Sequence, residues 1–419
     1  MNEKFRDPIA DSKCDESWKD ASKFRYPRDP IILDLDGNGI KTVGLTANVH
    51  FDYDNDGILT QTGWVGNGDA LLVLDRNSNG KIDNGAELFG DYTPITRTNV
   101  DGTTTTTYAP NGFAALASLD SNGDGIIDAN DAAFADLKLW RDTNQNGTVD
   151  QSANGNSGEL ITLADAGIVS LNLNNVLKNQ ATGNGNLLTR EGSFTKQTTI
   201  VDTVTGEIVT QTITQTMSEY NLAINTFDTQ FKDEIAVSDT VKTLPNMQGS
   251  GNVRELQQAA TQSSTLQNLL SQFAQATTRA EQKQLLDNIL LAWADTSGMA
   301  KSLTEQAAGQ FNIQFDAFGT ERRSSNINPS LLTGTVNASS GGGAGGGSSI
   351  TTPLDNSYLT DKYQALIAEW TNKLHILEAF NGQYFFNLPS IKSQTAGANV
   401  GLSVAANDAD WRVVAWISF

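Results

Sequence analysis

The stretch Asp34-Leu-Asp36-Gly-Asn38-Gly39 decides the reading of this chain, because its form, Asp-x-[Asp/Asn]-x-[Asp/Asn]-Gly, returns four more times. The others are Asp52-Tyr-Asp54-Asn-Asp56-Gly57, Asp75-Arg-Asn77-Ser-Asn79-Gly80, Asp120-Ser-Asn122-Gly-Asp124-Gly125 and Asp142-Thr-Asn144-Gln-Asn146-Gly147. Average residue usage would place about 0.01 to 0.1 such segments in a chain of this length by chance. Alternate residues of a tight loop aim oxygens at one centre, and glycine at the sixth position supplies the φ that turns the chain around an ion. Position 7 adds a backbone carbonyl and position 12 an acid that closes the shell.

The fourth loop completes this set with the Ile126 carbonyl, Asp128 and Asp131. The third offers the Lys81 carbonyl and Asp83, with Glu87 one residue late; the fifth offers the Thr148 carbonyl and Asp150, with Glu159 beyond an insertion. The first two lack an acid at position 12 and are expected to be irregular or shared. Hard oxygen donors in such loops point to Ca2+. Carboxylates roughly 4 Å apart repel by about 4 kcal/mol per pair at an effective dielectric of 20, so the ion would also be a folding ligand. The fold implied is α+β: an EF-hand-like or dockerin-like calcium-loop module with short strands and helices, followed by a mainly α-helical domain.

Composition narrows the alternatives. Against 28 Lys and Arg stand 48 Asp and Glu, a net charge of −20 that argues against nucleic acid as a partner. Cys14 is the single cysteine, and His50 and His375 are the two histidines, which excludes disulfide scaffolds and thiolate or histidine-rich metal sites. The four methionines cluster nowhere, against a calmodulin-like groove. There is no run of about eighteen apolar residues, so no membrane span is expected, and the start of the chain shows no Sec signal.

The chain divides by composition into a flexible segment 1–29, a calcium-loop module 30–232, a helical domain 233–338, a Gly/Ser linker 339–352 and a helical segment 353–419. Thr-rich segments joined at Thr205-Gly206 read as a β-hairpin. Thr278-Arg-Ala-Glu281 and Asn252 with Glu255 read as capping boxes. The spacing of Tyr363, Leu366, Ile367, Trp370, Leu374, Leu377 and Phe380 reads as one apolar helix face.

The run Asp29-Pro-Ile-Ile-Leu-Asp-Leu-Asp-Gly-Asn-Gly-Ile40, with Thr62-Gly-Trp64, Asn84-Gly-Ala-Glu-Leu-Phe-Gly90, Gly112-Phe-Ala-Ala-Leu116 and Leu139-Trp140, resembles the self-processing module of iron-regulated, Frp-like RTX proteins. The resemblance covers roughly Asp29 to Phe231. Residues 244–296 look like a helical region that accompanies such modules in large secreted RTX proteins. The resemblance implies a single-turnover, calcium-dependent autoprotease and transpeptidase. Its catalytic pair is Asp29 and Pro30, its acceptors are lysine-bearing protein surfaces, and its setting is secreted or at the cell surface. The family's Gly-Gly-x-Gly-x-Asp repeats are absent here. The residues themselves allow the chemistry, since an aspartate carboxyl lies within five-membered-ring reach of its own carbonyl carbon and can expel proline. Asp7-Pro8 lacks the downstream loop and is read as incidental. The competing reading is a calcium-stabilised structural or adhesion module without chemistry.

Overall fold

The computed structural model describes residues 29–98, 101–151, 158–201, 208–307, 312–319, 357–385, 400–405 and 411–418. Segment 1–28 with Asp7-Pro8, the Thr205-Gly206 turn and the Gly/Ser linker lie outside them. The chain forms two compact units, one covering residues 25–234 and one including residues 235–419.

Alternation within short apolar runs builds the first unit. In β1 (Ile31–Leu33), Ile31 and Leu33 enter one core while Ile32 enters another. In β6 (Ala70–Leu74), Ala70 and Leu72 face the first core and Leu71 and Val73 the second. A sheet covered on both faces needs unbroken apolar strands, which is why these runs look like neither an amphipathic strand nor a helix.

Around them stand β9 (Ile126–Asp128), β10 (Leu137–Trp140), β11 (Leu160–Thr162), β12 (Ile168–Ala181), β13 (Leu187–Val201) and β14 (Ile208–Asn221). The order is β11-β10-β6-β1-β14-β13-β12-β9, with all neighbours antiparallel. Strand β1 is therefore central, pairing Ile31 with Glu219 on one side and Ile32 with Leu71 on the other. A smaller sheet joins β3 (Val49–Phe51), β4 (Ile58–Thr62) and β15 (Ile224–Phe231), while β2 (Thr42–Val43) pairs with β5 (Trp64–Val65) and β7 (Pro94–Thr98) with β8 (Thr104–Tyr108). Phe51, Tyr53, Trp64 and Trp140 pack ring against ring in the second core, with centroids 5.1 to 5.9 Å apart.

This corrects the EF-hand-like α+β expectation. The first unit is mainly β, a large antiparallel sheet, and four of the five loops leave strand ends: β1, β3, β6 and β10. The fourth alone follows a helix, α1 (Gly112–Ala117), which is six residues long. The residues preceding the loops are too short and too apolar on both faces to form the flanking helices of an EF-hand.

The second unit carries helices α2 (Asp239–Lys242), α3 (Leu256–Gln262), α4 (Ser264–Gln275), α5 (Arg279–Ala294), α6 (Leu303–Ala307) and α7 (Ser357–Asn381). It also holds a three-stranded sheet of β16 (Asn312–Gly319), β18 (Trp411–Ser418) and β17 (Val400–Ala405), so the second half is not helical throughout. The Thr278–Glu281 capping box is formed, whereas α3 is preceded by Glu255 with no side-chain cap. Trp370 and Leu374 of the expected α7 face are buried, and Leu377 is exposed.

Candidate functional site: five acidic loops and the Asp29–Pro30 bond

All five loops share one backbone. The sixth-position glycines Gly39, Gly57, Gly80, Gly125 and Gly147 have φ between 73° and 90°, and each fourth residue (Gly37, Asn55, Ser78, Gly123, Gln145) is left-handed too. A β-carbon costs energy there, which accounts for the Gly and Asn content. In each loop the first aspartate gathers the N–H groups of the turn. Asp34 accepts from Gly37 and Gly39 at 2.8 and 2.9 Å, and Asp120 from Gly123 and Gly125 at 2.7 and 2.9 Å. Asp75 accepts from Asn79 and Gly80 at 3.1 and 2.9 Å. Asp142 accepts from Asn146 and Gly147 at 3.2 and 2.8 Å, and also from the Trp64 indole at 2.8 Å. Asp52 accepts from Asp56 and Gly57 at 3.3 and 3.2 Å.

Third-position residues Asp36, Asn77, Asn122 and Asn144 each accept the fifth residue's N–H at 2.9 to 3.1 Å. The fifth residues Asp56, Asn79, Asp124 and Asn146 turn an oxygen to the N–H of Ile58, Lys81, Ile126 and Thr148, at 2.8 to 2.9 Å.

The third, fourth and fifth loops are clamped in the same way. One oxygen of Glu87 accepts from Arg76 at 3.1 Å and the other from Asp83 at 2.7 Å. Asp131 bridges Ser121 and Asp128 at 2.8 and 3.0 Å, and Glu159 bridges Thr143 and Asp150 at 2.9 and 3.0 Å. In every case the donors are the second and ninth loop residues, so the late Glu87 and the distant Glu159 occupy the place that Asp131 fills at position 12. The N–H groups of Asp128 and Ser121 hold the Asp131 carboxyl below its usual range, whereas burial pushes Glu87 and Asp142 up. Asp83 and Asp150 each accept the side-chain amides of their loop, at 2.6 to 3.1 Å.

The first two loops close with residues that their local spacing does not announce. Carboxylate oxygens of Asp34, Asp36 and Asp69 lie within 4.8 Å of one another, and so do those of Asp52, Asp54 and Asp56. Asp69 arrives from the turn before β6. Its Oδ2 accepts the Lys41 N–H at 2.8 Å, while its buried Oδ1 accepts no hydrogen bond among the described residues. Burial, with Asp34 and Asp36 adding repulsion, pushes Asp69 up to about 6. An uncompensated, buried oxygen beside two carboxylates fits a hard cation. Asn38 is engaged by its neighbours Asp36 and Lys41. In the second loop the Lys232 ammonium stands 2.8 Å from the fully buried Asp52 and also donates to the Asp83 carbonyl. Asp56 is pushed up to about 6 by burial and by Asp54.

Asp29 and Pro30 are buried at the entrance to β1. The Asp91 N–H donates to Asp29 Oδ1 at 2.7 Å, and the Pro30 carbonyl accepts from Tyr220 at 3.2 Å. Two glycines let the chain approach closely. A β-carbon on Gly90 would stand 2.9 Å from Asp29 Oδ1 and 3.2 Å from its carbonyl oxygen; one on Gly112 would stand 2.5 Å from the Phe89 carbonyl and 3.2 Å from that of Asp29. Beyond them lies the buried Glu219, which accepts the Gly112 N–H at 2.9 Å and the Thr189 hydroxyl at 2.7 Å. Burial first, then Asp91 and Glu219, hold the Asp29 carboxyl well above the usual range. The segment 84–91 thus touches two sites, with Glu87 clamping the third loop and Gly90 and Asp91 holding Asp29. Asp69, Asp91, Glu219 and Lys232 stand at these candidate sites and are the residues that local motif reading misses.

Residues 31–208, which carry the five acidic loops and begin just after the Asp29–Pro30 bond, match the SPM domain. Among individual proteins, the chain is 43% identical over 270 residues to the iron-regulated protein FrpA of Neisseria meningitidis serogroup C, an overlap of 64% of this chain and 22% of that protein. The chain therefore spans about a fifth of the length of that relative. Among the described residues no helix is long and apolar enough to cross a membrane.

Proposed function

We propose that residues 29–234 form a calcium-binding module that cuts its own Asp29–Pro30 bond and can join the freed aspartate to a lysine amine of a neighbouring protein surface. The observation that carries this reading is the burial of Asp29 with its carboxyl fixed by the Asp91 N–H and its carbonyl packed against Gly90 and Gly112. A buried Asp-Pro bond with that much closely fitted backbone around it exceeds what a linker needs. Bound calcium would supply the charge that lets the clustered carboxylates of the loops close.

The chain's own groups do the rest. The Asp29 carboxyl attacks its own carbonyl carbon, the proline nitrogen leaves, and a cyclic anhydride remains for water or a lysine amine. Holding these groups aligned can contribute about 7–11 kcal/mol to the rate. The third loop is coupled to that alignment through the stretch from Glu87 to Asp91, and the first loop through β1. The secreted or cell-surface setting belongs to the same proposal and rests on the resemblance.

The test is to incubate purified chain with millimolar calcium, then resolve it on a denaturing gel and weigh the fragments. The expected fragment ends at Asp29, with part of it reappearing on a lysine. Asp29→Asn should abolish cleavage and leave calcium binding nearly unchanged, and Pro30→Ala should slow it. Cleavage persisting in Asp29→Asn would refute the mechanism. An intact wild-type chain would favour a calcium-stabilised structural module, a reading already supported by the way the clamped loops tie strand ends together.

A further inference from the structure

Expulsion of proline needs a proton on its nitrogen, and a lone carboxylate cannot both attack and supply one. The surroundings of Asp29 answer this. The Asp91 N–H donates to Asp29 Oδ1 at 2.7 Å, and the charge of the neighbouring Asp91 carboxyl adds to burial in raising the Asp29 carboxyl. Two carboxyl groups set side by side in a buried site repel when both are ionised, so the pair retains one proton. Glu219, paired with Ile31 across β1 and β14, presents a second buried carboxyl to the same place.

Glu219 and Asp29 differ in the donors they receive. Glu219 has the Gly112 N–H, the Thr189 hydroxyl and, 3.7 Å away, the Arg190 guanidinium, all of which favour its carboxylate form. Asp29 has one backbone N–H, from Asp91, to set against burial and two neighbouring acids. The group with fewer donors keeps the proton.

We propose that Asp29 and Asp91 share a single proton, that this proton passes to the Pro30 nitrogen as Asp29 attacks, and that Glu219 keeps it in place by its charge. The inference rests on the self-cleavage reading and adds the acid that reading leaves unnamed. The step balances. A bond forms between an Asp29 carboxylate oxygen and the Asp29 carbonyl carbon, the bond from that carbon to Pro30 nitrogen breaks, and the shared proton ends on the prolyl amine. The pair enters with one negative charge and leaves with it on Asp91, beside a neutral anhydride. Asp29 is the nucleophile and Asp91 the proton donor, both catalytic; Glu219 is a positioning residue.

The experiment is a pH–rate profile of cleavage at saturating calcium for the wild-type chain, Asp91→Asn and Glu219→Gln. It is joined by carbon-13 NMR titration of the Asp29 carboxyl in the calcium-free chain. Wild-type rate should be level in mild acid and fall with rising pH as the shared proton is lost. Glu219→Gln should move that fall to lower pH, Asp91→Asn, which lacks the donor, should be slow at every pH, and both variants should move the Asp29 carboxyl midpoint to lower pH. The expected cost is at least about tenfold at neutral pH, with Glu219→Gln recovering the wild-type rate near pH 5. A wild-type rate that climbs with pH, an unmoved carboxyl midpoint, or a Glu219→Gln loss equal at every pH would overturn the proton assignment while leaving self-cleavage standing. A wild-type chain that never cuts would overturn both.

Discussion

The third, fourth and fifth loops differ from the first and second in where their closing group comes from. Glu87, Asp131 and Glu159 lie 12, 11 and 17 residues after the first aspartate of their loops, and each clamps the second and ninth N–H of its own loop. The first loop instead borrows Asp69 from another turn, and the second takes the ammonium of Lys232, which follows β15. A locally clamped loop is shaped before any ion arrives, because its backbone donors are already satisfied. A borrowed acid adds charge without closing the backbone, and a borrowed ammonium stands where a cation would.

The sharpest break in this comparison is Glu87→Ala. Two backbone N–H groups lose their acceptor, so the calcium-free chain should lose about 2–4 kcal/mol in a denaturant melt. Calcium binding at the third loop should weaken by calorimetry, and cleavage should fall because Gly90 and Asp91 follow in the same segment. An unchanged melt would remove the clamp from the account.

Asp69→Asn should act in the opposite direction. The folded chain holds Asp69 at about 6, above the ordinary value of 3.8, so folding takes up a proton as pH falls through 6 and loses that contribution above it. Near pH 7.5 the calcium-free variant should be more stable than wild type by about 1–3 kcal/mol, with the difference shrinking between pH 6 and 4. Calcium should stabilise the variant less. A destabilised calcium-free variant would show that Asp69 is a structural acceptor rather than a vacant ligand.

The smallest effect belongs to Lys232→Met. Asp52 is fully buried but the ammonium is partly exposed, so the calcium-free chain should lose only about 1–2 kcal/mol. Calcium should then stabilise the variant more than it stabilises wild type, since the competing ammonium is gone. Equal calcium stabilisation in the two chains would mean that Lys232 and the ion do not share the second loop.

The same contrast explains what the sequence discloses. The loop backbones were legible because residues one to six of each loop act on one another, and the 198–215 hairpin because its strands are neighbours in sequence; β13 and β14 pair from Leu187 to Val201. Asp69 reaches the first loop through the pairing of β1 with β6, and Glu219 reaches Asp29 through that of β1 with β14, so neither carries a local signature. The fold class was misread for a related reason. The loop spacing suggested flanking helices, while Ile31-Ile-Leu33 and Ala70-Leu-Leu-Val-Leu74 are strands covered on both faces, whose lack of alternation hides their period.

Strand β1 has a mechanical consequence. It lies between two antiparallel neighbours, and the Pro30 carbonyl is tied to Tyr220, so tension on any segment before Asp29 reaches the sheet along the strand axis and is resisted in shear. Proline has no N–H, so the sheet has no hydrogen bond at that nitrogen to lose when the bond in front of it parts. The Asp29–Pro30 bond is placed like a shear pin: it can carry the load of whatever is tethered upstream, and cut as proposed it would free that load without removing a hydrogen bond of the frame it was fastened to.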